Sequence, residues 1–80
     1  MSDTLERIRQ VAADLLKIDK NTIKETSKFI EDLGAESVQS IELVAAFEEE
    51  FDIEMNEDEA LGVKTVGDAV KFIDAIQARK

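Results

Sequence analysis

Apolar residues recur at spacings of three and four along three segments of this 80-residue chain. This spacing places side chains on one face of an α-helix, whereas no useful length of the chain alternates with the period of two that strands require. A chain this short builds a single core, which nearly every regularly spaced apolar residue must serve. The sequence therefore predicts an all-α fold with a single domain over residues 1–80. The expected architecture is a small four-helix bundle of three main helices and one short helix, with a long first loop.

The first helix is predicted from about Asp3 to Lys17. Asp3 and Glu6 have the spacing of a capping box, and Ser2 is an alternative cap. The apolar face of this helix is formed by Leu5, Ile8, Val11, Ala12, Leu15 and Leu16.

A long loop is predicted over residues 19–35, where polar and turn-forming residues surround scattered apolar ones. A loop of this length in so small a domain is uncommon and is often functional. Gly34 can adopt a backbone conformation closed to other residues, or allow another molecule close to the main chain. The apolar residues expected to anchor the loop in the core are Ile23, Phe29, Ile30 and Leu33.

A second helix is predicted from about Ser37 to Phe51. Its apolar stripe is wider than a contact between two helices needs, so this helix is expected to lie at the centre of the bundle. The stripe is centred on Val38, Ile41, Ala45 and Phe51, with Leu43, Val44 and Phe47 on flanking rows. The outward side carries Gln39, Glu42, Glu48 and Glu49.

The last third of the chain predicts one short helix and one longer helix. The short helix is expected over Glu57–Leu61 and is ended by Gly62. Thr65 and Asp68 have the spacing of a second capping box, which begins a last helix that runs to about Ala78. The apolar face of the last helix is formed by Val66, Ala69, Val70, Ile73 and Ile76.

Charge is distributed very unevenly along the chain. The net charge is −9, yet residues 1–30 hold five acids and six bases. Residues 31–59, which we call the acidic span, hold twelve acids and no Lys or Arg. An excess of negative charge repels nucleic acid and anionic membranes and attracts basic protein surfaces. We therefore expect basic protein partners, no nucleic-acid binding and no membrane insertion, with an ordinary solvated face as the alternative.

The residue types that are missing exclude much chemistry. Without Cys or His, the chain has no disulfide, thiolate metal site or imidazole acid–base catalyst. Residues 56–59, NEDE, are rich in oxygen ligands but lack the spacing and central glycine of a calcium loop, so no specific metal site is predicted. The N-terminus lacks an apolar signal core and no apolar run suggests a membrane span, so we expect a cytoplasmic protein.

Ser37 stands between a glycine-led turn and the second helix, and three interpretations of it are open. A hydrolytic nucleophile needs a base, but there is no His, and no Lys or Arg lies between Lys28 and Lys64. Serine is also simply common in the first turn of a helix, where its side chain can accept from a free N–H. Third, the hydroxyl can be an attachment point for a phosphate-bearing group, because a helix N-terminus offers free N–H groups and a positive dipole end.

A second open question concerns five apolar residues that are first of all expected in the core. The same side chains can also line a space that opens for an apolar guest, and the sequence does not separate the two roles. These residues are Phe29, Phe47, Met55, Val63 and Ala69.

Residues 31–55, EDLGAESVQSIELVAAFEEEFDIEM, resemble the signature region of acyl carrier proteins, in which a D-L-G-A-D-S-L motif opens an acidic second helix. The resemblance extends through ETSKF at residues 25–29 and KTVGDAV at residues 64–70, so it covers nearly the whole chain. It implies a four-helix bundle in which Ser37 receives 4'-phosphopantetheine from coenzyme A through a holo-synthase. The thiol of this arm would carry acyl groups as thioesters, and the chain would be a carrier and not an enzyme.

The resemblance also implies partners and a place for the cargo. The acidic second helix would dock on basic patches of the holo-synthase and of acyl-transfer or synthase enzymes, and the protein is expected to act as a monomer. The docking residues would be Glu36, Val38, Glu42, Glu48 and Glu49. The five apolar residues Phe29, Phe47, Met55, Val63 and Ala69 would then shelter the acyl chain.

The chain departs from the family motif at four positions. Glu36 and Val38 replace the usual Asp before and Leu after the serine, and Gln39 stands where an acid is common. Asn56 stands where proline is frequent and is expected to loosen the turn into the short helix. The favoured function is acyl carriage in fatty-acid or related lipid synthesis. The alternatives are a specialised carrier for polyketide, aminoacyl or modified-lipid assembly, and an acidic adaptor that is never modified on Ser37.

Overall fold

The computed structural model describes residues 3–78, and for Glu57 it describes the backbone alone. A short 3₁₀ turn, Lys20–Thr22, lies in the first loop, and the four α-helices are α1 (Thr4–Leu16), α2 (Ser37–Phe51), α3 (Glu57–Leu61) and α4 (Val66–Ala78). Within residues 3–78 no β-strand is assigned, and the single β-type pairing is an isolated antiparallel bridge between Lys28 and Thr65. The predicted all-α bundle of three main helices and one short helix is confirmed. None of the helices described is long and apolar enough to cross a membrane.

The central helix of the bundle is α1, which packs against both α2 and α4. Ile8 and Ala12 are completely buried, and the small side chains of Ala12 and Ala13 let neighbouring helices approach closely. Arg7 also joins α1 to α2, since its Nε lies 2.8 Å from Glu50 Oε2 and its guanidinium lies 4.4 Å from the centre of the Phe51 ring. The prediction that α2 is central is therefore wrong.

The apolar face of α2 also differs from its prediction. Leu43, Phe47 and Phe51 follow one another at a spacing of four and are buried in the core. Val38 and Ile41, which the sequence places at the centre of the stripe, are 69% and 71% exposed. Because α2 is apolar around most of its circumference, the helical period cannot decide which row meets the core.

The long first loop is held to the segment before α4 by backbone hydrogen bonds. The N–H of Phe29 donates to the carbonyl of Lys64 at 3.0 Å, and the N–H of Val66 donates to Ser27 at 2.9 Å. The N–H of Gly67 donates to Glu25 at 2.7 Å, and a Cβ on Gly67 would lie 3.1 Å from the Glu25 carbonyl. Glycine at this position therefore permits the close approach.

Of the four predicted loop anchors, two are buried in the core, one is partly buried at its edge and one is exposed. Ile23 and Phe29 are buried and Leu33 packs against the core from its edge. Ile30 is 56% exposed, so the prediction for this residue is wrong. Ala35 is buried, although the sequence did not predict it as an anchor of the loop. Arg9 holds the first half of the loop, since its guanidinium donates to the carbonyls of Ile23 and Lys20 at 2.9 and 3.0 Å.

The capping box predicted for α4 is confirmed, whereas the one predicted for α1 is wrong. Thr65 and Asp68 form the predicted box, in which the Asp68 N–H donates to Thr65 Oγ1 at 3.0 Å. Asp3 makes no side-chain cap bond, and Glu6 pairs with Arg9 and Lys20 instead, so the predicted box of α1 is wrong. The alternative cap, Ser2, lies outside the described residues.

Asn56 tightens the turn that it is expected to loosen. Its Oδ1 accepts from the N–H of Glu59 at 2.8 Å, and its own N–H donates to Glu59 Oε1 at 3.2 Å. This reciprocal pair is a capping box, and asparagine is among the best N-cap residues. The expectation of a looser turn is therefore wrong. Gly62 ends α3 as predicted, with an ordinary φ of −79°.

We predict that Lys17→Gly stabilises the protein. Lys17 ends α1 in the left-handed conformation with φ 58°, which strains any residue that carries a Cβ. Glycine at this position should raise the free energy of unfolding by about 0.5–1 kcal/mol. Urea unfolding measures the change, and Lys17→Ala is the control because it removes the same charge but keeps the strain. Equal stability of the two variants would contradict the prediction.

We predict that Asp68 contributes stability that is lost in acid. Hydrogen bonds from the N–H groups of Thr65 and Lys64 hold the pKa of the Asp68 carboxyl below its ordinary value. A lowered folded-state pKa stabilises the fold above the unfolded-state pKa and less so as the pH falls through the folded value. Asp68→Asn should therefore destabilise the protein at neutral pH, with a smaller difference near pH 3. Urea unfolding of both proteins at the two pH values measures this, and a difference independent of pH would refute it.

Candidate functional site

Ser37 is the first residue of α2, and its side chain is exposed. Within residues 3–78 its hydroxyl makes no hydrogen bond, so no base activates it as a nucleophile in this structure. The cap of α2 is formed by its neighbours, because the N–H of Glu36 donates to Gln39 Oε1 at 2.9 Å. Gln39, which replaces a common acid of the family motif, thus completes the helix start. The hydroxyl of Ser37 is left free for a reaction with another molecule.

The turn before Ser37 is set by two small residues. Gly34 has φ 76°, and, apart from Gly34 and its two chain neighbours, no atom of the described residues lies within 4 Å of the position that a Cβ would occupy on it. Ala35 is buried, and its N–H donates to the carbonyl of Phe29 at 2.9 Å. The left-handed turn at Gly34 and the buried Ala35 together fix where α2 begins, while the space beside the turn stays open.

An apolar cleft of about 550 Å³ opens beside α2. Its inner wall includes the buried side chains of Phe29, Leu43 and Phe47. The rings of Phe29 and Phe47 pack with their centres 6.0 Å apart and their planes tilted by 50°. The outer rim carries exposed apolar residues, among them Ile41 and Leu61. The remaining walls are formed by Lys28, Ile30, Glu31, Ser40, Val44, Met55, Ala60, Val63 and Lys64.

Four of the five residues predicted to border a guest space line this cleft. They are Phe29, Phe47, Met55 and Val63. Ala69 does not line it, because it lies in the core on α4, the helix that packs on α1. Ser40, Ile41 and Leu61 also line the cleft, although the sequence did not predict that they border a guest space. Ile41 is an apolar residue between the polar Ser40 and Glu42, which is a signal for an exposed apolar side chain. Its helical spacing instead led to the prediction that it lies in the core.

Ser37 lies close to this cleft. Ser40 and Ile41, which both line it, follow Ser37 at spacings of three and four. Residues at these spacings are neighbours on one side of a helix. The free hydroxyl and the nearest wall of the cleft therefore belong to the same surface, one helical turn apart.

The five residues predicted to dock partners have different surroundings. Glu36, Val38, Glu42 and Glu49 are exposed on or beside α2. Glu48 is half-buried, and its Oε2 accepts from the N–H of Met55 at 2.9 Å. Its carboxylate therefore holds the chain that leaves α2, a local role that the sequence did not suggest. Glu42 and Glu49 make no hydrogen bond or ion pair with the residues that the structure describes.

These features suit a covalently attached group with an apolar end. A free hydroxyl at a helix N-terminus can be esterified by a phosphate, whose charge the unpaired N–H groups and the helix dipole favour. An apolar chain attached there lies within reach of a cleft with apolar walls. The structure thus places an exposed hydroxyl at the start of α2 on the same surface as an apolar cleft.

Comparison with known proteins agrees with this geometry. Residues 6–73 match the family described as a phosphopantetheine attachment site. The chain is also 55% identical over 73 residues to acyl carrier proteins from Phenylobacterium zucineum (strain HLK1) and from two strains of Caulobacter vibrioides. Each alignment covers 91% of this chain and 92% or 94% of the relative. The chain belongs to the acyl carrier protein family, as a carrier with a phosphopantetheine attachment site and not an enzyme.

Proposed function

We propose that Ser37 is the residue that carries 4'-phosphopantetheine, and that the protein moves acyl groups as thioesters in fatty-acid or related lipid synthesis in the cytoplasm. The observation that carries the assignment to Ser37 is its free, exposed hydroxyl at the first residue of α2, one turn from the apolar cleft. When attached, the arm supplies the thiol that this Cys-free chain lacks.

The attachment step needs little from the carrier itself. The Ser37 oxygen forms a bond to the phosphorus that bears the pantetheine in coenzyme A, the pyrophosphate bond breaks, and the adenosine bisphosphate leaves with the electron pair. A base on the holo-synthase takes the hydroxyl proton, since within residues 3–78 none contacts Ser37. The carrier presents the hydroxyl, and the N-terminus of α2 favours the resulting phosphodiester.

The cleft gives an acyl chain an alternative to water. Each buried methylene contributes about 0.8 kcal/mol, so a medium-length chain gains several kcal/mol if the cleft admits it. Phe29, Leu43 and Phe47 form the apolar inner wall that such a chain would contact. The exposed rim at Ile41 and Leu61 allows the chain to leave when a partner enzyme accepts it.

Docking is proposed to rest on the charge of the acidic span. Glu36, Glu42 and Glu49 expose carboxylates along α2, and basic surfaces of holo-synthases and of acyl-transfer or synthase enzymes complement them. Exposed charge pairs accelerate encounter without binding tightly, which suits a monomeric carrier that visits several enzymes. Glu48 is proposed to contribute mainly to the fold and less to docking, because its carboxylate accepts from the N–H of Met55.

We predict that incubation with coenzyme A and a holo-synthase adds one phosphopantetheine to this protein. Intact-mass spectrometry measures the gain, and Ser37→Ala should abolish it. Ser40→Ala is the matched control, because it removes a serine hydroxyl one turn further along α2 and should leave the gain unchanged. No gain with any of several holo-synthases would favour the acidic adaptor, and a gain that persists in Ser37→Ala would move the site elsewhere.

We predict that Glu42→Gln and Glu49→Gln each lower the kcat/KM of the holo-synthase for this protein about two- to fivefold at low salt. The difference from the wild type should shrink as salt screens the lost charge. Glu25→Gln is the control, because it removes an exposed acid from the nearly neutral first third of the chain. An equal effect of Glu25→Gln would show that only net charge matters and would contradict docking through α2.

A further inference from the structure

A second concave surface, which we call the α1–α2 groove, lies where α1 and α2 pack against each other. Its volume is about 480 Å³, and it shares no lining residue with the cleft. Three apolar side chains in the groove are half-buried, and three carboxylate side chains beside them are exposed. The apolar residues are Val11, Leu15 and Ala46, and the acidic residues are Asp14, Glu49 and Glu50.

Two of the three carboxylates in the α1–α2 groove are not paired with a base of this chain. Arg7 on α1 pairs with Glu50, since the Arg7 Nε lies 2.8 Å from Glu50 Oε2. Asp14 accepts a hydrogen bond at 2.9 Å from the neutral side chain of Gln10. Glu49 makes no hydrogen bond or ion pair with the residues that the structure describes. A cationic group in the groove would therefore meet two negative charges that the fold leaves uncompensated.

The α1–α2 groove lies on the side of α2 that faces away from Ser37. Ala46 follows Ser37 by nine residues, which is about two and a half helical turns, so the two side chains point to opposite sides of the helix. A partner segment in the groove therefore leaves Ser37 uncovered. Glu49 is the groove residue that also belongs to the docking surface proposed above, whereas Asp14 and Ala46 belong to the groove alone.

The walls of the α1–α2 groove determine which kind of backbone can occupy it. Both walls are α-helices, whose backbone N–H and C=O groups are bonded within their own helix, so an extended segment would find no hydrogen-bond partners there. A helix satisfies its own backbone and presents apolar side chains in a ridge at spacings of three and four. Such a ridge packs into the groove between two helices.

We propose that the α1–α2 groove binds a basic amphipathic helix of a partner protein. The apolar ridge of that helix contacts Val11, Leu15 and Ala46, and its Lys or Arg residues pair with Asp14 and Glu49. The charge of the groove disfavours other occupants, because carboxylates repel nucleic acid and anionic lipid, and a second copy of this chain has a net charge of −9. This site does not depend on Ser37, so the partner can hold the carrier whether or not the hydroxyl is modified.

The test uses a short fluorescein-labelled peptide of Leu and Lys whose leucines recur at spacings of three and four. Fluorescence anisotropy at low salt measures its Kd for the full-length, unmodified protein. Ala46→Gln places a longer, polar side chain in the groove and should raise the Kd about tenfold, because the leucine ridge loses its apolar contact. Ala45→Gln is the matched control and should leave the Kd within about twofold, since Ala45 is exposed and lines neither the groove nor the cleft.

A second pair of variants tests the charge of the groove. Asp14→Asn should raise the Kd about two- to fivefold, and Glu25→Gln, which removes an exposed acid elsewhere, should have a smaller effect. Equal effects within either pair of variants would show that net charge alone attracts the peptide and would overturn the proposal. Because Asp14 is exposed, this pair decides the question even if Ala46→Gln does not fold. A peptide with Glu in place of Lys should not bind.

Backbone amide NMR shifts distinguish the groove from the cleft, whose exposed apolar rim is the competing place for the peptide. The largest changes should fall on residues 10–15 and 45–50. Largest changes at Ile41 and Leu61, or no binding at all, would overturn the proposal. The protein is unmodified throughout, so such a failure leaves the attachment at Ser37 standing. Conversely, a holo-synthase that does not modify Ser37 leaves the result for the groove unchanged.

Discussion

The packing of α1 against both α2 and α4 is the constraint on which the rest of the structure depends. Ile8 and Ala12 are completely buried, so one helix serves two neighbours and the short chain obtains a core without a second central element. α2 then needs only its row of Leu43, Phe47 and Phe51 for that core. Part of its remaining apolar surface, with Ile41 and Val44, becomes a wall of the cleft, which Ala60 and Leu61 of α3 also line. The cleft is thus a consequence of which helix occupies the centre.

The acidic span divides into carboxylates that serve the fold and carboxylates that do not. Glu48 accepts from Met55, Glu50 pairs with Arg7, and Glu59 completes the cap at Asn56. These local bonds offset part of the repulsion that twelve acids without a base must create. Glu42 and Glu49 have no such use within the described residues, yet their charge raises the repulsion. The proposed docking on basic partner surfaces would give this exposed charge a use that the fold does not supply.

Much of the fold could be predicted because the local signals in this chain agree with one another. The bounds of α2 and α3, and the box at Thr65 and Asp68, follow from caps and turns that depend on nearby residues only. Errors arise where distant parts of the chain decide. The period of α2 is ambiguous because apolar residues surround the helix, and only the position of α1 selects Leu43 over Ile41. The loss of the predicted cap at Asp3 has a similar cause, since Glu6 pairs with Lys20 across the first loop.

Ser37 was identifiable from sequence as a candidate because its position at a helix start is local, whereas the α1–α2 groove depends on packing that a sequence does not display. The same distinction clarifies the unusual motif around Ser37. Val38 is 69% exposed and does not line the cleft, so a smaller residue in place of the family's leucine alters a surface and not the core. Glu36 and Gln39 together preserve the helix start through the bond at 2.9 Å. The departures from the motif therefore change what an approaching enzyme meets while leaving intact the geometry that presents the hydroxyl.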